Sequence, residues 1–200
     1  MIDRYLRLPK ERVLAPVAKR LDISPLAVTL AAFGIGLLAV GAAALGLYGW
    51  ALALWLAGRV LDGLDGSVAR SSAKQSDLGG YLDMLLDTAI YALLPVALAW
   101  AQAESAVWLS LAFLLSSFYL NAISWLYLSA ILEKRKQGAS SQGEQTSVTM
   151  PSALIEGGET ILFYCLFLIF PGALTSLFFL MALLVLVSAG QRVRWALRRL

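Results

Sequence analysis

The stretch RVLDGLDGSVARSSAKQSDLGGYLDMLLD, residues 59–87, interrupts a chain made largely of Leu, Ala, Val and aromatic residues. It holds Asp62, Asp65, Asp77, Asp83 and Asp87, five of the thirteen acidic residues of the whole protein. Carboxylates gathered inside so apolar a chain need a reason, and that reason bears on both fold and chemistry.

The surroundings set the class. Of 200 residues, 60% are hydrophobic and 14% charged, whereas soluble domains have about 45–50% apolar and about 25% charged residues. Several uncharged apolar runs approach or exceed the roughly 20 residues needed to cross a bilayer. The expected fold is therefore an all-α integral membrane protein, one domain over residues 1–200. Six transmembrane helices are predicted at about 25–48, 50–69, 78–100, 105–132, 152–170 and 173–191. The hydrophilic segment GASSQGEQTSVTM, 138–150, reads as a loop between the fourth and fifth.

Ahead of these, residues 1–22 lack the apolar core of a secretory signal. Leu14, Val17, Ala18 and Leu21 share a helical face, with Lys10, Arg12, Lys19 and Arg20 elsewhere, which predicts an amphipathic helix lying in the membrane interface. Ser24 and Pro25 supply an N-cap and a first-turn proline for the first span. Lys and Arg lie before span one, around Arg70 and Lys74, at Lys134 to Lys136 and in the tail QRVRWALRRL; the alternate connections carry none. The positive-inside rule then predicts that both termini and the carboxylate cluster are cytoplasmic, and the expected location is the inner membrane.

The chain has no histidine, which excludes Ser/His and Cys/His catalysis and a histidine-ligated zinc. Its single Cys165, in an apolar run, reads as a packing residue. Trp50, Trp100 and Trp108, near the outer span ends, read as an interfacial belt.

Asp62 and Asp65 stand i, i+3 at the end of span two, and Asp83 and Asp87 stand i, i+4 at the start of span three. Each pair shares a helical face, and a short connection brings the two faces together. A solvated rim explains one such residue but not four, because each charged Asp within a span costs about 2.5–3.5 kcal/mol. An all-oxygen set calls for hard divalent ions, Mg²⁺ or Mn²⁺, as a two-metal pair. Asp77, just before span three, reads as a helix N-cap. Gly66 and Gly79 allow close approach to the backbone, and Arg70 offers a fork for phosphate.

Together, Asp62-x2-Asp65-Gly66-x2-Ala69-Arg70-x8-Gly79-x3-Asp83-x3-Asp87 resembles the signature of the CDP-alcohol phosphotransferase family at every fixed position and gap. The resemblance extends to the six-span plan with its interfacial helix. It implies phospholipid biosynthesis: transfer of a phosphatidyl group from CDP-diacylglycerol to the hydroxyl of a small alcohol, with release of CMP. It implies that Asp62, Asp65, Asp83 and Asp87 hold two metal ions, and that Asp87 is also the base that deprotonates the acceptor. By the same likeness Thr29, Gly66, Ala69, Arg70 and Gly79 line the donor site with Asp62, Asp65 and Asp83, and the protein is a homodimer. ISPLAVT, 23–29, resembles a family element at the start of span one, except that Leu26 stands where relatives often carry Asn or Asp.

For the acceptor, the candidates are Lys134, Arg135, Glu156, Glu159 and Arg192. SALIEGGETILF, 152–163, resembles the start of span five in phosphatidylinositol-phosphate synthases, but Gly157 and Thr160 stand where two arginines are common. That favours an unphosphorylated polyol or amino alcohol over glycerol 3-phosphate or inositol phosphate. Two other classes compete: a divalent-cation transporter, which normally keeps carboxylates near the midplane, and a lipid pyrophosphatase using water as acceptor. No nucleic-acid partner is expected.

Overall fold

The computed structural model describes residues 24–71, 76–135 and 153–200, with only the backbone of 64–71. The expected interfacial helix and the 138–150 loop lie outside the described residues. Those residues form six α-helices and one 3₁₀ turn, with no strand among them. The helices are α1 (Pro25–Ala44), α2 (Tyr48–Ser71), α3 (Asp77–Gln102), α4 (Ser105–Lys134), α5 (Gly157–Ile169) and α6 (Leu174–Arg199), with the 3₁₀ turn Pro171–Ala173 before α6. Each coincides with one expected span.

Four segments are long and apolar enough to cross a membrane: α1, α3, α4 and Pro171–Arg199, which contains α6. Helix α5 is apolar but has 13 residues. The first helix stops at Ala44, short of the expected 48. Leu45 caps it, Gly46 turns back at φ 74°, and the Leu47 amide donates to the Ala42 carbonyl over 2.9 Å. A left-handed residue at that point favours glycine. The last helix overruns the expected 191 and carries the basic tail as helix to Arg199.

Helix α1 lies against both α2 and α3, α4 pairs with α6, and α5 bridges α2, α3 and α6. Gly36 allows the first of these arrangements: a Cβ there would stand 2.9 Å from the Ile90 side chain on α3. Ala39, Ala43, Trp55, Ile90, Leu94, Leu114, Phe167, Phe178 and Met181 continue one buried core through all six helices.

Pro95 sits inside α3 and is buried. A proline has no N–H for the carbonyl four residues earlier, here that of Tyr91. The Tyr164 hydroxyl, from α5, donates to that Tyr91 carbonyl. The orphan acceptor is thereby satisfied within an apolar interior, where an unmet carbonyl is costly.

Candidate active site

Helix α2 carries Asp62 one turn after Arg59, and α3 carries Asp83 and Asp87 one turn apart. Carboxylate oxygens of Asp62, Asp83 and Asp87 all lie within 4.8 Å of one another, and all three residues are half-buried. Helix α1 lies against both carriers, and the carriers themselves also touch through Trp55 and Tyr91. At an effective dielectric constant near 20, two unit charges at that separation repel by about 3.5 kcal/mol. Three carboxylates give three such pairs, so the cluster needs positive charge.

Part of that charge is Arg59. Its two terminal nitrogens donate to the two oxygens of Asp87 at 2.7 and 2.9 Å, and Nη1 stands 3.4 Å from Asp62. Planar guanidinium and planar carboxylate meet fork to fork, a strong charge-assisted geometry. The guanidinium carbon lies 5.0 Å from the Trp55 ring centre and 5.4 Å from that of Tyr91. Trp55 stacks on Tyr164 at 5.0 Å, and Tyr91 meets both rings edge-on. Arg59 is 8% exposed and Trp55 1%. The aromatic floor thus fixes the guanidinium against the carboxylates by cation–π contact. Three negative charges against one positive leave these four side chains at net −2. That charge and the all-oxygen donor set fit a hard divalent cation.

Arg59 was the residue to find in the sequence. A charged side chain inside an apolar span requires a partner, and Arg59 precedes Asp62 by one helical turn. The aromatic floor gave no local signal, because Trp55, Tyr91 and Tyr164 come from three separate helices.

The other expected donor-site residues divide. Asp65, Gly66, Ala69 and Arg70 lie on α2 where only the backbone is described. Thr29 is buried, and its hydroxyl donates to the Pro25 carbonyl at 3.2 Å. Ser76, not Asp77, caps α3: its hydroxyl accepts from the Gly79 amide at 3.1 Å, and Asp77 is the first helical residue. The shorter Ser side chain reaches that amide, and Asp77 complements the helix dipole from the first turn. A Cβ on Gly79 would lie 3.0 Å from the Ser76 hydroxyl, so its small size serves the cap.

Of the acceptor candidates, Arg192 and Glu156 come together where α6 meets α4 and the start of α5, and Lys134 and Arg135 stand apart from them. Arg192, 2% exposed, reaches from α6 to donate through Nη1 to the Asn121 side-chain oxygen on α4. The Glu156 carboxylate acts on Arg192 through charge. Glu156 also accepts from the Ala153 amide at 3.0 Å, and Glu159 accepts from the Glu156 amide at 3.2 Å, so both carboxylates shape the start of α5. The strand of chain before α5 is stitched to α6: the Leu154 amide donates to Gln191 and the Ile155 amide to Ser188, each at 2.9 Å. Lys134 and Arg135 are exposed at the end of α4, and Arg135 donates to the Leu200 carbonyl at 3.1 Å.

A family profile described as CDP-alcohol phosphatidyltransferase matches residues 23–197. The chain is 36% identical over 174 residues to "Inner membrane protein YnjF" of Escherichia coli (strain K12), covering 86% of this chain and 83% of the relative. In fold it is similar to the crystal structure of Mycobacterium tuberculosis phosphatidylinositol phosphate synthase (PgsA1) with CDP-DAG bound. The TM-score is 0.69, with 92% of each chain covered and 19% identity.

Proposed function

Since this chain belongs to the CDP-alcohol phosphatidyltransferase family and is an enzyme of that class, we propose that it transfers a phosphatidyl group from CDP-diacylglycerol to an unphosphorylated small alcohol. The observation that carries this reading is the convergence of Asp62, Asp83 and Asp87 within 4.8 Å on two helices of that fold. A similarly folded synthase has been crystallised with CDP-DAG, which supports the choice of donor. An apolar chain also suits a donor with two acyl chains.

In this reading Asp62, Asp65, Asp83 and Asp87 hold two Mg²⁺ or Mn²⁺ ions, and Gly66, Ala69, Arg70, Gly79 and Thr29 border the nucleotide. Bound there, divalent ions neutralise the pyrophosphate and the charge that develops on the leaving oxygen. Asp87 accepts the proton of the acceptor hydroxyl. The acceptor oxygen then bonds to the β-phosphorus, the bond from that phosphorus to the bridging oxygen breaks, and CMP leaves with that oxygen. A carboxylate is the natural base in a chain without histidine. Arg59 holds the other side of the balance: its fork engages both oxygens of Asp87, so one oxygen has to be released before it can take that proton.

For the acceptor, Glu156 and Glu159 suit hydroxyl or ammonium groups and repel phosphate, and Arg192 is already engaged by Asn121. Lys134 and Arg135 stand at the edge. A phosphorylated acceptor is the second reading, and one observation favours it: the buried Nε of Arg192 has no hydrogen-bond partner. Purified protein given CDP-diacylglycerol, Mg²⁺ and single acceptors separates the two. CMP release with inositol, serine or another uncharged or amino alcohol supports the first; release with glycerol 3-phosphate or inositol phosphate alone replaces it with the second. Release without any alcohol, with phosphatidic acid as product, marks a hydrolase instead.

The same reading takes the chain as one membrane domain in which α1 to α6 all cross the inner membrane. The distribution of Lys and Arg supports cytoplasmic termini and a cytoplasmic site. A homodimer is part of the proposal, tested by the mass of the detergent-solubilised protein.

A further inference from the structure

Arg59 donates to both oxygens of Asp87, at 2.7 and 2.9 Å. A fork-to-fork arginine occupies the lone pairs that point inward between the two carboxylate oxygens. A divalent ion chelated by both oxygens, or held on an inner lone pair of one, needs the same side of the group. On that side the two cations contend for one set of electrons. They also repel: Arg59 carries a fixed charge 3.4 Å from Asp62, a second member of the cluster. Nor is Arg59 free to retreat into water, since it is 8% exposed and lies against the faces of Trp55 and Tyr91.

We propose that Arg59 is a built-in competitor of the metal ion at Asp87, and that it sets how tightly the aspartate cluster binds its cation. The inference rests on the reading of Asp62, Asp83 and Asp87 as metal ligands. Metal uptake exchanges one cation of Asp87 for another, with Arg59 shifting along its aromatic floor. Arg59 is thus a positioning residue, acting on the reaction through Asp87. Such an exchange weakens binding of the bare ion and leaves the cluster only partly neutralised in its absence. Lysine cannot substitute fully, because an ammonium is a point donor without the fork.

The test uses the full chain in detergent, without donor or acceptor. Mn²⁺ is titrated, and the free ion is followed by its electron paramagnetic resonance signal. Arg59→Met is expected to bind Mn²⁺ at least tenfold more tightly than wild type, and Arg59→Lys to fall between them. Mg²⁺ titration of the wild type is expected to change tryptophan emission as Arg59 moves over Trp55, with the change lost in Trp55→Phe. Unchanged or weaker Mn²⁺ binding in Arg59→Met overturns the proposal, because Arg59 would then be arranging Asp87 for the ion. If Arg59→Met fails to fold, Arg59→Lys decides alone, and unchanged or weaker binding there overturns it equally. Asp62→Asn separates this failure from that of the metal reading: wild-type binding that survives Asp62→Asn, or no wild-type binding at all, removes both.

Discussion

Two arginines are buried among the described residues, and each reaches across from one helix to another. Arg59 crosses from α2 to α3 and meets the carboxylate of Asp87; Arg192 crosses from α6 to α4 and meets the amide of Asn121. The first contact neutralises the guanidinium and leaves a surplus of negative charge from Asp62 and Asp83. The second leaves the guanidinium charge largely standing, with Glu156 nearby. One buried arginine therefore sits in a region whose surplus charge draws cations, the other in a mixed region where a guanidinium and nearby carboxylates can meet a polar group. The proposed transfer, with a metal-bound pyrophosphate beside a polar alcohol, would use both regions, and they lie on different helix pairs.

The largest effect expected is at the first region. Asp62→Asn or Asp83→Asn should lower CMP release from CDP-diacylglycerol by about 10²–10³-fold, comparable to losing a main electrostatic element of a site. EDTA should abolish the same activity, and Mg²⁺ or Mn²⁺ should restore it; full turnover in metal-free buffer would break the comparison at its stronger end. Next comes the second region. Arg192→Ala should raise the acceptor KM by about tenfold, about 1.4 kcal/mol, and leave the donor KM unchanged. An equal rise in both would mean that the two regions are one site for one substrate. The smallest effect on turnover is expected away from both. Gly36→Val should force its side chain into Ile90 and cost about 1–3 kcal/mol of stability, read as a lower Tm at nearly normal KM values.

The helices were legible because their signals are local. Apolar length, the Ser24–Pro25 start and the i, i+3 and i, i+4 aspartates each lie within one segment. The start of α3 was misjudged by one residue, since Ser76 and Asp77 are both good caps and only geometry separates them. The extent of α6 was missed because basic residues mark the end of a span without ending the helix. What stayed hidden was tertiary: nothing local in the sequence brings Trp55, Tyr91 and Tyr164 together, and nothing pairs Asn121 with Arg192 across 71 positions. Arg59 was visible as a charge but not as the partner of Asp87, 28 positions away. Glu156 and Glu159, named from the sequence for the acceptor, also shape the start of α5, a local role common to acidic residues at a helix N-terminus.

The bond from the Tyr164 hydroxyl to the Tyr91 carbonyl makes two distant positions answer to each other in mutational space. Tyr164→Phe alone strands the carbonyl that Pro95 leaves without a helical donor. Pro95→Ala restores that donor and relieves the hydroxyl of its task. The loss caused by Tyr164→Phe should therefore shrink once Pro95→Ala is in place, so a chain drifting under selection for stability can shed the hydroxyl readily only after it has shed the proline.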